Sequence, residues 1–281
     1  MPVIRASWQL SAGITVVLAV VWLACSMSQL PSLRKLRAFT QEFVVVVGVF
    51  AVYQHTAYLV HGRTAHAFSN AMGIWHLERR LHLPSEVAVQ HLTASLPLVE
   101  RGMNAYYDGM HLTAMTAFVV WMWWRHRDRY VLLRNTVALT TLACVLIQMV
   151  PVAPPRMFPA LGFTDTASRY GMSMYSADGI ADQLGAMPSI HVAWAGIVCV
   201  FGVMVCAPRW RWLFVGHFVL VGYVVVATAN HWWLDGAVGL AVMVLVLAFL
   251  LGIAALGRRL FGTHALVETA IPDEAPAHLA G

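Results

Sequence analysis

The sequence predicts an all-α polytopic membrane bundle of about seven transmembrane helices, with amphipathic helices lying at the membrane surface. Three observations carry that prediction. Of the 281 residues, 59% are hydrophobic and only 11% charged, with a mean hydropathy of +0.68, a composition of polytopic membrane proteins and not of soluble domains. Seven apolar runs, roughly 9–30, 41–60, 104–124, 131–150, 190–206, 211–229 and 236–257, each approach the length a helix needs to cross a bilayer. The basic residues, almost all arginine, fall unevenly on the segments that join those runs.

The first run follows Arg5 and is too long for the apolar part of a signal peptide, so it reads as a retained span. With seven spans the termini lie on opposite sides. One side collects Arg34, Lys35, Arg37, Arg125, Arg127, Arg129, Arg134, Arg209, Arg211, Arg258 and Arg259. The other holds Arg5, Arg63, Arg79, Arg80, Arg101, Arg156 and Arg169, spread over much longer loops. The dense side is expected to be cytoplasmic, with the C-terminus there too. The net charge of +5 is distributed over loops, with no basic stripe interleaved with aromatics, so it marks topology and lipid head groups; nucleic acid is not an expected partner.

Between the spans, residues 61–103 carry apolar side chains at helical spacing (Phe68, Met72, Trp75, Leu81, then Val89, Leu92, Leu96) around Pro84-Ser85, which predicts two interfacial amphipathic helices. Tyr106 and Tyr107 at the next span's mouth read as an aromatic belt. Pro151, Pro154, Pro155 and Pro159 stop the fourth span, and residues 151–187 read as a cover over a site, with Met172, Met174 and Tyr175 open to two readings, contact with a lipid chain or ordinary packing. The expected division is therefore an N-terminal transmembrane pair (1–60), extracytoplasmic interfacial helices (61–103), a catalytic transmembrane core (104–257) and a disordered cytoplasmic tail (258–281). Cys25, Cys144, Cys199 and Cys206 form no C-x-x-C pair and read as small buried apolar residues. No heptad or small-xxx-small seam stands out, which leaves the oligomeric state open.

Two stretches put histidines at the mouths of very apolar segments. In Gly185-Ala186-Met187-Pro188-Ser189-Ile190-His191, proline and serine read as a helix start, whose free N–H groups favour an anion. In Asn230-His231-Trp232-Trp233-Leu234-Asp235-Gly236, His231 and Asp235 are four apart and would share a helix face, the carboxylate fixing the imidazole tautomer. Both stretches and Arg156 fall on the extracytoplasmic side, a grouping that suggests phosphoryl transfer. Arg156 offers a guanidinium fork to phosphate oxygens, and Ser189 with its neighbouring amides offers further donors. His231 would attack phosphorus as the neutral imidazole, and His191 would protonate the leaving group and then activate the acceptor. Asn230, Asp182, Arg169 and His111 are candidate head-group contacts. His55 reads as structural, and His217, deeper in the sixth span, is given no role.

Pro188-Ser189-Ile190-His191 resembles the second signature of the type 2 phosphatidic acid phosphatase superfamily, and His231-Trp232-Trp233-Leu234-Asp235 its third. The resemblance covers roughly Gln148 to Gly239. It implies His231 as nucleophile, Asp235 as its orienting partner, His191 as acid/base, and chemistry with no metal or other cofactor. The first signature differs: Met149 stands where the family has a lysine seven residues before Arg156, and Val224 and Val225 replace a serine-arginine pair. The proline-rich run and Thr228-Ala229-Asn230-His231 are more similar to the inositol phosphorylceramide synthase branch, which transfers a head-group phosphate between lipids. The expected activity is that of an integral-membrane lipid phosphatase or head-group phosphotransferase, its substrate a phospholipid or polyprenyl phosphate. The competing readings are a transporter or channel whose outer polar cluster is a binding site, and a metal hydrolase using His191, His231 and Asp235 as ligands.

Overall fold

Prolines, caps and charged junctions decide where the apolar runs become helices. The computed structural model describes residues 8–28, 30–60, 63–171 and 183–261. Its first six helices are α1 (Trp8–Met27), α2 (Arg34–Val60), α3 (Thr64–Arg80), α4 (Glu86–Ala94), α5 (Pro97–Arg125) and α6 (Arg127–Ile147). A short α7 (Thr166–Arg169) precedes α8 (Ile190–Val205), α9 (Pro208–Ala227) and α10 (Trp233–Phe261). Pro97 and Pro208 each start a helix in its first turn, where a missing N–H costs nothing. Ser85 caps α4 by accepting the Ala88 N–H, and Ser189 caps α8 by accepting that of Val192.

Each of the seven apolar runs lies on one helix, in an all-α membrane bundle. Five helices are long and apolar enough to cross a membrane: Trp8–Met27, Pro31–Thr56, Arg127–Ile147, Pro208–Ala227 and Trp233–Leu260. The other two differ for separate physical reasons. α5 has ample length, 29 residues, but its first half carries Glu100, Arg101, Asn104 and Asp108. α8 has only 16 residues, a rise of about 24 Å against a hydrocarbon core of about 30 Å. It lies among α5, α6, α9 and α10, so half of its side chains face protein. Met122, Leu133, Ile197, Phe201 and Met243 from four of these helices form the main buried core, while Val16, Leu213, Val219 and Leu245 point outward.

The N-terminal pair forms a hairpin, with the Ser11 hydroxyl donating to Gln54 at 2.6 Å. Glu42 ties α2 to α6, accepting from Arg134 Nη1 at 2.7 Å and from the Tyr130 hydroxyl at 2.8 Å. His55 lies in this hairpin, its ring 4.6 Å from that of Trp8. The two helices expected in residues 61–103 form as α3 and α4, and α5 begins at Pro97, ahead of its apolar stretch. At the other end α10 runs through Phe261, so Arg258 and Arg259 close a helix, where cations suit the C-terminal dipole. Met172, Met174, Tyr175 and residues 262–281 lie outside the described residues. All four cysteines are free thiols, Cys25 and Cys144 buried.

Candidate active site

Three loops meet at one end of α8, α9 and α10. After α6, Gln148 caps the helix and its side-chain amide donates to the carbonyls of Gly185 at 3.1 Å and Pro188 at 3.2 Å. The Val152 N–H donates to Leu184 O at 2.7 Å and the Ala186 N–H to Val152 O at 3.1 Å. This short parallel bridge brings the first histidine stretch against the proline-rich run. The run continues to Arg156, 7% exposed, whose backbone N–H donates to Ala229 O at 2.9 Å. Arg156 Nη1 donates to Asn230 Oδ1 and Nη2 to Gln183 Oε1 at 3.3 Å. Its charge also acts on nearby Asp108. Arg156 and Asn230 are thus joined directly, and Asn230 is itself held by donating to Thr228 Oγ1 at 2.8 Å.

His231 is not on a helix. The chain leaves α9 through Ala229, at φ +52° in the left-handed region, and α10 starts only at Trp233. The shared helix face expected for His231 and Asp235 is replaced by a capping turn. Asp235 Oδ2 reaches back to accept the Trp232 N–H at 2.8 Å, the arrangement of a capping box, and lies 3.4 Å from His231 Nδ1. The nearer partner of Nδ1 is the Ala186 carbonyl at 2.8 Å. Both are acceptors, so Nδ1 carries the proton and the Nε2 lone pair is left exposed to a ligand. Nε2 is buried and makes no hydrogen bond among the described residues. Trp232, wholly buried, anchors the turn by donating from Nε1 to Ala153 O at 3.0 Å.

His191 stands in the first turn of α8, its ring centroid 5.5 Å from that of His231. Ser189, wholly buried, spends its side-chain oxygen on the cap, and its N–H donates to Asp235 O at 2.9 Å. Pro188 precedes this cap instead of entering the helix, since the first helical residue is Ile190. Tyr107, 5% exposed, stacks on His191 at 4.3 Å and 16° and lies 6.2 Å from His231. The aromatic-belt reading therefore fails for Tyr107: it is a wall of the site. Tyr106 instead hydrogen-bonds His217 Nδ1 at 2.8 Å, which supplies the partner His217 lacked in sequence.

The structure thus brings Arg156, Ser189, His191, Asn230, His231 and Asp235 together, with Tyr107, Gln183 and the Ala186 carbonyl added. Arg169 is engaged elsewhere, its Nη1 3.3 Å from Glu100 Oε2. His111 lies on α5 with its side chain outside the described residues, as is Asp182 entirely. Among the described residues no three His, Cys, Asp or Glu side chains are arranged to hold a metal ion. Asn230→Asp is expected to occupy the Arg156 charge with a carboxylate, weakening inhibition by orthovanadate about tenfold while leaving the melting temperature within a few degrees; an inhibition titration checks it.

The chain matches the family model described as the PAP2 superfamily over residues 72–249, more than half of its length. No curated protein and no solved structure matches it.

Proposed function

The chain belongs to the PAP2 superfamily of phosphatase-type phosphoryl-transfer enzymes, and on that premise we propose that it acts on a lipid phosphate or diphosphate through a phosphohistidine at His231. The observation that carries this reading is the His231 ring, with Nδ1 tied to Ala186 and Asp235 and a buried Nε2 that has no hydrogen-bond partner among the described residues, beside His191. Nε2 attacks phosphorus, forming a P–N bond as the P–O bond to the leaving group breaks. His191 gives its proton to the departing oxygen. In the second half His191 takes the proton of water or an alcohol, whose oxygen attacks phosphorus and breaks the P–N bond. The negative charge of buried Asp235 supports the imidazolium character that grows on His231. Arg156, steadied by Asn230 and Gln183, holds the phosphoryl oxygens.

In this proposal the substrate is a phospholipid or polyprenyl phosphate reached from the bilayer, with residues 104–257 as the catalytic core. The site faces the extracytoplasmic side of the cytoplasmic membrane, supported by the arginine distribution, which leaves the C-terminus in the cytoplasm. The likeness of Thr228-Ala229-Asn230-His231 and the proline-rich run to the inositol phosphorylceramide synthase branch supports head-group transfer, in which an alcohol replaces water. The test is phosphate release from a panel of lipid phosphates and diphosphates in detergent with a chelator. Release supports the hydrolase form. A new lipid product, formed once a diacyl phospholipid and an alcohol are both supplied, supports transfer. Silence in both assays, or complete inhibition by the chelator, would overturn the proposal.

A further inference from the structure

We propose that Glu78 is a positioning residue for the site: from α3 it holds the first turn of α10 and so sets where His231 and Asp235 stand. The inference rests on the roles given to those two residues above. Glu78 and Glu86 belong to the α3–α4 pair and are 0% and 1% exposed, where an ionised carboxylate needs a partner. Two of their four oxygens have partners. Glu78 Oε1 accepts the Leu234 N–H at 2.8 Å. Glu86 Oε2 accepts from Arg79 Nη2 at 2.8 Å. The remaining pair, Glu78 Oε2 and Glu86 Oε1, are buried with no hydrogen-bond partner among the described residues, and Glu86 is close enough to act on the Glu78 carboxyl. Two buried carboxyl groups this near each other are stable only if one of them holds a proton. Glu86 is paired with Arg79 and Glu78 has no cation against it among the described residues, so the proton is assigned to Glu78.

The surroundings of Glu78 agree. Glu86 faces it from α4, Asp235 from α10, and Arg79 lies beside it on α3. Burial first, then the neighbouring Glu86 carboxyl, push its carboxyl up to about 9. A neutral Glu78 adds no charge to repel the buried Asp235. It accepts the Leu234 N–H between His231 and Asp235, and the adjacent Trp233 Nε1 donates to Pro84 O at 2.9 Å. Arg79 Nη2 closes the same turn on Pro84 O at 3.1 Å. α3 also grips the run leading to Arg156: Asn70 Nδ2 donates to Pro151 O at 2.9 Å, and Ala67 O accepts the Ala153 N–H at 3.1 Å. One helix therefore joins the two segments that carry Arg156 and His231.

Glutamine at position 78 keeps an uncharged side chain whose oxygen can accept from Leu234 and whose amide can face Glu86; alanine removes the acceptor. The test compares wild type, Glu78→Ala and Glu78→Gln by hydrogen-exchange mass spectrometry of the peptide covering 229–237, and by kcat and KM on dioctanoyl phosphatidate. In Glu78→Ala that peptide is expected to exchange faster, and kcat to fall at least about tenfold with KM within about threefold. Glu78→Gln is expected to restore both. A third readout is the melting temperature against pH. Between the ordinary carboxylate range and about 9 the folded chain holds a proton that the unfolded chain has lost, so stability falls as pH rises through that window. Glu78→Gln removes that loss, and its melting temperature should decline less steeply. Exchange in Glu78→Ala equal to wild type, a glutamine variant as impaired as the alanine one, or an unchanged pH slope would each overturn the proposal. Should Glu78→Ala not fold, the pH slope of Glu78→Gln decides. A wild type that turns over no lipid phosphate defeats the phosphatase reading alone, and the exchange data then judge the brace.

Discussion

Alanine at His231 is expected to cut phosphate release by at least about a thousandfold, because the variant lacks the atom that in the proposed mechanism bonds to phosphorus. Neighbouring groups should survive the change. Asp235 Oδ2 keeps the Trp232 N–H, Arg156 keeps Asn230 and Gln183, and Trp232 keeps Ala153. Orthovanadate or lipid phosphate should therefore still bind, with an affinity within about tenfold of wild type. A transporter would show no such split between binding and turnover. In the proposed mechanism His191→Ala should cost about a hundredfold to ten-thousandfold, the range for one general acid. Parallel assays of turnover and vanadate binding on purified variants check both.

Gly239→Ala is expected to be nearly as damaging without touching any reacting group. A Cβ there would enter the Ser189 carbonyl oxygen, with the Ser189 carbon at 3.2 Å and nitrogen at 3.4 Å behind it. These are backbone atoms of the α8 cap, so no side chain can swing aside to make room. The Ser189 N–H also donates to Asp235 O, so parting α8 from α10 moves His191 away from His231. A displacement of that scale predicts a fall in kcat of about a hundredfold and a lower melting temperature. Gly252→Ala on the same helix meets nothing within 4 Å and is expected to be neutral or slightly stabilising. Thermal melts and kcat for the pair separate the steric clash at Ser189 from a general effect of alanine in α10.

The reach of sequence reasoning differed between these features for physical reasons. Apolar runs of bilayer length advertise helices whatever their neighbours, so all seven were placed from composition alone. His191 and His231 stood out because a histidine adds little to the packing of so apolar a segment. The serine cap and the extent of α8 were legible from local chemistry, whereas the off-helix position of His231 was not, since it depends on the turn at Ala229. Tyr107 was misread because a tyrosine at a membrane mouth has an adequate explanation in the bilayer itself; its stacking on His191 is a contact between distant parts of the chain. The Ala186 carbonyl carries no sequence signal at all. Glu78 and Glu86 sit in a polar stretch where charges normally face water, and only the packing of α3 and α4 over the site buries them.

The most direct measurement of the central claim is acid- and base-controlled trapping of a phosphoenzyme. Wild type would be mixed with a lipid phosphate labelled in its phosphorus, quenched under alkaline conditions, and mapped by mass spectrometry. The account predicts label on His231 that is stable to alkali and lost in acid, and absent from His231→Ala. Turnover without label on His231, or the same label persisting in His231→Ala, would contradict it.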